Sequence, residues 1–336
     1  MLCGAGGWVS VALFGKQKRA FLRRFLPFAN GTPSHDQPGL IFGAPGAEGF
    51  QAGFAAWTQS LARVAEGVVA VDGKTARRSF DRAHGKGAVH MISAWSSVQK
   101  LVLATRAVGH KSNEITAVPE LLELLAIKGA TVTIGAMGCQ TKIAEKIVDK
   151  GADYVLGLKG NQGSLREDVE LLFTEQPARG LPDAAVSRAP SADGGHGRIE
   201  TREVYAVADI AWLKQRHPGW KGLRCLVMVI ARRETAKGEE RERRFYISSL
   251  PAEAEKRGAA IRAHWGVENG LHWVLDVQFR DDDCRIRKKN APANFTAVKR
   301  AALNALRRAP GKDSLKSKRL IAGWDEDYLA KTLATL

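Results

Sequence analysis

Hydrophobic positions recur at helical spacing at the start of the chain. Phe21, Leu22, Phe25 and Leu26 share a face beside Arg19, Arg23 and Arg24, which predicts an amphipathic basic helix. The run Asn30-Gly31-Thr32-Pro33-Ser34 then breaks the pattern. Phe50, Phe54, Trp57 and Leu61 follow at i, i+4, i+7 and i+11, a second helical face. A small helical domain over residues 1–66 is expected. Beyond it the period changes to short apolar runs at Val68–Val71, Val89–Trp95 and Leu101–Val108, joined by the turn-prone stretch Asp81–Gly87 and a tight link at Val98–Lys100. These predict an antiparallel meander. A helix over Ile115–Ile127, a strand at Thr131–Met137, a helix at Lys142–Lys150, a strand at Tyr154–Lys159 and a helix from Ser164 to about Thr174 come next. Strands alternating with helices predict a partly parallel sheet.

Between Glu175 and Gly197 the composition turns to Pro, Ala, Gly and Ser, which predicts a loop. Strand-like runs return at Arg198–Val207, Leu223–Ala231 and Arg243–Ser248, with Arg232–Arg244 as a solvated hairpin tip, so a β insertion at about 175–250 is expected. A long helix from Glu253 to Val277, the basic stretch Arg285–Lys289 and a helix over Pro292–Arg308 complete a domain at 67–310. The basic run Lys312–Arg319 then predicts a C-terminal tail at 311–336.

Charge narrows the class of partner. The 336 residues are 45% hydrophobic and 26% charged, an ordinary globular balance. Lys and Arg number 51 against 35 Asp and Glu, a formal +16, which points to a polyanion. Cys3, Cys139, Cys225 and Cys284 are scattered, with no C-x-x-C pair, so neither a disulfide framework nor a structural zinc site is expected. The apolar opening Met1–Phe14 lacks a basic flank and is interrupted by Gly4, Gly6 and Gly7, unlike a secretory signal. No run reaches the roughly 18 apolar residues of a membrane span, so a cytoplasmic location without membrane attachment is expected.

The element order predicts an α/β fold: an RNase H-like mixed sheet flanked by helices, with the β insertion before the last long helix. Phosphoryl chemistry on such a fold needs carboxylates from the first strand, the fourth strand's end and the late helix, holding two Mg²⁺ ions about 4 Å apart. Asp72 ends the apolar run of the first strand and is followed by Gly73 and Lys74. In the late helix His264, Glu268, His272 and Asp276 recur every four residues along one stripe, and the H-E-x-x-H arrangement of a zinc protease is absent. Lys74 lies beside the first acid, and Lys159 and Asn161 follow a strand near the same end of the sheet. Arg287, Lys288 and Lys289 form a basic loop after Asp281–Asp283. These six are candidate DNA contacts.

Several ordered blocks then resemble one family. They are Val71-Asp72-Gly73-Lys74-Thr75, Lys111–Ala117, Ala136-Met137-Gly138-Cys139-Gln140, Gly151–Tyr154 through Lys159–Gln162, His196–Arg202, the helix His264–Val277 and Asn290-Ala291-Pro292-Ala293-Asn294-Phe295. Together they resemble the H-repeat-associated group of DDE insertion-sequence transposases across almost the whole chain. The resemblance implies Mg²⁺-dependent cleavage and joining of double-stranded DNA at an element's terminal inverted repeats, by a protein that oligomerises on DNA. It carries the first catalytic, metal-binding acid onto Asp72 and the last onto Glu268.

The second acid's position falls on Gly135, where the family has Asp. Glycine offers no ligand, and Asp149 and Asp153, the nearest acids in sequence, are expected at the wrong end of the sheet. The match also begins inside the family's helical domain, which implies a missing first helix, with apolar surface exposed near Trp8 and Leu13. The expected outcome is a transposase-type chain impaired in catalysis. The alternatives are an active enzyme with another acid, a DNA-binding remnant and a host RNase H-like nuclease.

Overall fold

In a computed structural model of the chain, residues 1–61, 67–109, 113–179, 186–195, 198–235 and 238–335 are described. Residues 111–112 and 196–197, the starts of two blocks of the resemblance noted above, lie outside them. Four helices open the chain: α1 (Trp8–Gln17), α2 (Arg19–Leu22), α3 (Gln37–Gly43) and α4 (Ala47–Leu61). The basic helix expected around Phe21–Leu26 is only the single turn α2. Phe21 is buried beneath the Arg24 guanidinium, while Phe25 and Leu26 stay exposed.

Strands β1 (Val68–Thr75), β2 (His90–Ser96) and β3 (Val102–Ala107) lead to α5 (Glu114–Glu123), β4 (Thr131–Ile134), α6 (Thr141–Asp149), β5 (Asp153–Leu158) and α7 (Gly163–Arg179). Strands β6 (Val186–Gly195) and β7 (Arg198–Val207), helix α8 (Ala211–Arg216), and strands β8 (Cys225–Thr235) and β9 (Gly238–Ser248) form the expected insertion. Helix α9 (Ala254–Val267) runs through a π-helical turn at Glu268–His272 into α10 (Trp273–Phe279). Helices α11 (Ala291–Arg308), α12 (Leu315–Trp324) and α13 (Glu326–Leu333) close the chain. The strand order β3-β2-β1-β4-β5-β9-β8-β7-β6 begins with the RNase H-like order of a meander followed by parallel strands.

The chain divides into two compact units. In the first (1–63, 73–125, 267–336), α11 is the central helix, with fourteen buried residues. Its Phe295 meets Trp8 edge-on at 4.8 Å, and Trp8 stacks on Phe42 at 5.3 Å, so Trp8 is packed although Leu13 is 56% exposed. Asn294 donates to the carbonyls of Phe42 (2.9 Å) and Pro45 (3.0 Å), which gives the Asn290–Phe295 block a structural role. The expected basic tail is instead two capped helices: Ser314 accepts from Ser317 N–H and Asp325 from Asp327 and Tyr328 N–H. Lys18 pairs with Glu326 at 2.9 Å.

In the second unit (64–72, 126–266), β1 and β4 pair in parallel, as do β4 and β5, while β9, β8, β7 and β6 add antiparallel neighbours. Part of the expected 175–197 loop is strand β6, paired with β7 along its whole length. Pro190 is tolerated because β6 is an edge strand. The segment expected as a solvated hairpin tip is also ladder, with Arg232↔Arg241 and Arg233↔Glu240 in register. Strand β4 stops at Ile134 rather than Met137, because Ala136–Gly138 tightens into a 3₁₀ turn. The Ile134 side chain fills the space beside Gly138, where a Cβ would collide with it.

Candidate active site

In the second unit the β1–β4 register sets Val71 opposite Ile134, so the next positions along the two parallel strands are Asp72 and Gly135. Val69, Ala70 and Val71 are wholly buried and fix the strand, leaving Asp72 half-buried at its emerging end. Gly135 has φ −64° and ψ 178°, extended backbone that any residue adopts. A Cβ there would meet no described atom within 4 Å. The fold therefore does not require glycine at this position. The loop after it is held from β5's side: Asn161 Nδ2 donates to the Ala136 carbonyl at 2.8 Å and Gln162 Nε2 to that of Cys139 at 2.9 Å. Asn161, a candidate DNA contact by sequence, is thus occupied as a loop staple, whereas Lys159 is exposed. Burial pushes the Cys139 thiol up to about 12, so it is no nucleophile at neutral pH.

His264 faces β4, its Nδ1 lying 3.0 Å from Thr133 Oγ1. Burial pushes its pKa down to about 4, with Thr133 acting weakly against this. Asp149, at the far end of α6, pairs with Lys221. Asp153, at the start of β5, accepts from Ser249 Oγ at 2.7 Å. Both acids are committed at the end of the strands away from Gly135.

In the first unit, Lys74 is almost enclosed, its side chain 9% exposed. Its ammonium donates to Asp276 at 2.7 Å and Asp282 at 3.2 Å. Lys74, expected to contact DNA, is instead the tie between β1 and α10. Side chains two apart on a strand share a face, so Asp72 and Lys74 point the same way from β1. Gly73 points the other way, where a Cβ would collide with Glu114 Oε1 and fall 2.5 Å from His90 Nε2. That space is taken by a chain in which His90 Nε2 meets Glu114 at 2.7 Å and Nδ1 meets Thr75 Oγ1 at 2.7 Å. Position 73 requires glycine for this close approach.

On the π-helical turn, Glu268 lies 3.3 Å from His272 Nδ1. Burial pushes the His272 pKa down to about 4; Glu268 acts against this, while Arg300 and Lys74 reinforce it. The imidazole is therefore neutral at pH 7, the form that ligates metal. Glu268 and His272, both in the first unit, each offer a ligand atom, while Asp72, in the second, stands at the end of β1's buried run. A carboxylate and a neutral imidazole on one turn are donors that Mn²⁺ or Mg²⁺ accepts. His272 belongs to the every-fourth-residue stripe in the sequence, but its spacing does not separate a ligand from a core histidine.

The Transposase DDE domain family matches residues 64–305, and a DDE_Tnp_1-associated family matches residues 1–58. The chain belongs to the DDE transposase family. Among its relatives in the family is YhhI of Escherichia coli K12, which its name assigns to the H repeat-associated transposases. It is 39% identical over 341 residues, 99% of this chain and 89% of YhhI. YbfL of the same strain matches to the same extent. An uncharacterized protein in the dhlA 3′ region of Xanthobacter autotrophicus is 44% identical over 75% of this chain and 84% of its own length. A piggyBac transposase synaptic complex with hairpin DNA has a TM-score of 0.40 and 12% identity over 95% of this chain, which spans 60% of that chain's length.

For a transposase the basic loop after α10 is the second point of interest. Arg287 lies 4.9 Å from the Phe80 ring and Arg82 5.1 Å from it, and Arg287 Nε donates to the Arg78 carbonyl at 3.4 Å. Arg77 pairs with Asp282 at 3.2 Å and Arg78 with Asp283 at 3.5 Å. Residues 77–84 and 280–289 are thereby stitched into one basic surface, with Lys288 and Lys289 exposed on it. Phe80, Arg77 and Arg82 carried no sequence signal as binding residues, because only folding gathers them. Among the described residues, no helix is long and apolar enough to cross a membrane.

Proposed function

We propose that the chain is an insertion-sequence transposase that binds the double-stranded ends of its element, and that Gly135 leaves it unable to cut them. The observation that carries this is that Asp72 and Gly135 each follow the last registered pair, Val71↔Ile134, of two parallel strands, where a DDE site needs an acid on each. Asp72 and Glu268, at the positions of the family's first and last acids, would hold the divalent ion, and His272, on the same turn as Glu268, would be a further ligand. When bound, such ions supply Lewis-acid stabilisation of the attacking and leaving phosphate oxygens. In the first unit Lys74 ties the end of β1 to α10 through its ion pairs, and in the second the paired β1 and β4 bring Asp72 and Gly135 to one edge. Removing one carboxylate from this set takes away negative charge that the metal needs and leaves DNA binding intact. Binding is carried by Lys159, Arg287, Lys288 and Lys289 with Arg82 and the Phe80 surface, through phosphate contacts that neutralise backbone charge.

The test compares the natural chain with Gly135→Asp in Mg²⁺, on a labelled duplex carrying the terminal sequences that flank its own gene. The backbone angles at 135 accept Asp without strain, so loss of folding is not expected. Cutting by Gly135→Asp alone supports the proposal. Cutting by both would refute it and point to another acid. Binding of that duplex no tighter than of an unrelated one would refute the end-recognition half.

A further inference from the structure

Arg307, near the end of α11, is a partly buried guanidinium that forms no ion pair among the described residues. Burial alone pushes its pKa down to about 9. Desolvating a guanidinium is costly unless its donors are used. Arg307 uses them on two backbone carbonyls, those of Lys100 in the β2–β3 turn and Gly270 in the π-helical turn. Its guanidinium lies over the Trp95 indole, 4.2 Å from the ring centroid. Gly270 packs on the same indole, where a Cβ would meet Trp95 Cζ2 at 3.0 Å. Trp95 is itself completely buried, so the platform under the turn is fixed.

The turn matters because of where it sends side chains. Eight residues separate Glu268 from Asp276, and in an unbroken α-helix eight residues overshoot two turns by about 80°. A wider turn takes up that excess, bringing Glu268 toward the face on which Asp276 meets Lys74. A π turn also disturbs the regular i→i+4 ladder, so a carbonyl within it can take a donor from elsewhere. Arg307 supplies one.

We propose that Arg307 is a positioning residue: it caps the Gly270 carbonyl beside the Trp95 indole and so fixes the direction in which Glu268 and His272 present their ligand atoms. The functional half of this rests on the metal-binding role given to those two residues above; the structural half does not.

Arg307→Lys keeps the charge but loses the planar fork that reaches two carbonyls at once. Hydrogen exchange of the full-length chain is compared for natural protein, Arg307→Lys, Gly270→Ala as a second way of disturbing the turn, and Ile147→Val as a mild core control. The expected result is at least tenfold faster exchange across residues 266–276 in Arg307→Lys and Gly270→Ala, with α6 and β4 unchanged. Natural protection of 266–276 in a folded Arg307→Lys would overturn the proposal. Should Arg307→Lys fail to fold, natural protection in Gly270→Ala would overturn it equally.

Mn²⁺ titration followed by electron paramagnetic resonance reads the second half. At least fivefold weaker binding in Arg307→Lys is expected, with Glu268→Gln as the reference for losing a ligand. Unchanged Mn²⁺ affinity in Arg307→Lys, where Glu268→Gln loses it, would sink the positioning role. Absence of Mn²⁺ binding in the natural chain would instead count against the metal site itself, and the exchange data alone would then decide the role of Arg307.

Discussion

Asp281 is the carboxylate on which a buried charge cluster depends. It accepts from Lys299 Nζ at 2.7 Å, and the two side chains are 1% and 0% exposed. Arg300, also fully buried, has its pKa lowered by burial, and Asp281 is the group that acts against this. Arg300 is otherwise held by Ser93 Oγ at 2.9 Å and the Thr296 carbonyl at 3.2 Å. Asp281→Ala would leave the Lys299 ammonium enclosed with no anion and Arg300 without its counter-charge. Breaking one side of a buried pair costs about 3–5 kcal/mol. At roughly 2–4 °C per kcal/mol for a chain of this order, the melting temperature should fall by about 10 °C. Urea unfolding followed by far-ultraviolet circular dichroism measures the free energy, and differential scanning calorimetry the midpoint. The double variant Asp281→Leu with Lys299→Met removes both members of the pair and should recover part of the loss. A single variant within about 1 kcal/mol of the natural chain would refute the reasoning, since a buried cation left unpaired should cost several times that. So would a double variant as unstable as the single.

Other perturbations probe separate parts of the structure. His264 titrates near 4 when folded against 6.5 when unfolded, so below pH 6.5 the unfolded chain takes up a proton that the native chain does not. Stability from this group is complete above pH 6.5 and falls by up to about 3 kcal/mol as pH drops toward 4; His264→Gln should flatten that part of a pH-stability profile, and an unaltered profile would contradict it. Gly73→Ala forces a methyl into the His90–Glu114 contact and should cost about 1–3 kcal/mol in urea unfolding, whereas Gly73→Ala as stable as the natural chain would show that the contact yields freely. Arg287→Ala should weaken binding of any duplex and lower the slope of log affinity against log salt by about 1; an unchanged slope would remove Arg287 from the phosphate contacts.

The sheet is legible in the sequence, and Asp72 stands out as a candidate, because both are written locally. Val68–Val71 is a continuous apolar run that reads as a buried strand, and an acid at its end stands out against it. Glu268 is legible for a similar reason, sitting among Trp265, Val267 and Leu271 on a long periodic segment. Strand β6 is not, since Pro190, Gly194 and Gly195 read as loop and only an edge position makes them compatible with a ladder. The π-helical turn leaves no mark either, because the residues packed on it, Trp95 and Arg307, are remote from Gly270 along the chain. Charge and polarity alone give Lys74 and Asn161 outward roles, while their partners Asp276, Asp282 and Ala136 claim them inside the fold. A side chain's chemistry is readable from sequence; who reaches it first is not.

The open space beside Gly135 separates the chemistry of this chain from its upkeep. Cellular quality control senses exposed apolar surface and local unfolding. Exchanging a carboxylate at 135 for hydrogen uncovers no apolar group, because a Cβ there touches nothing described within 4 Å. A copy with glycine and a copy with aspartate should therefore accumulate alike and coexist in one cell, and a single codon change in either direction would pass unnoticed by everything except the DNA.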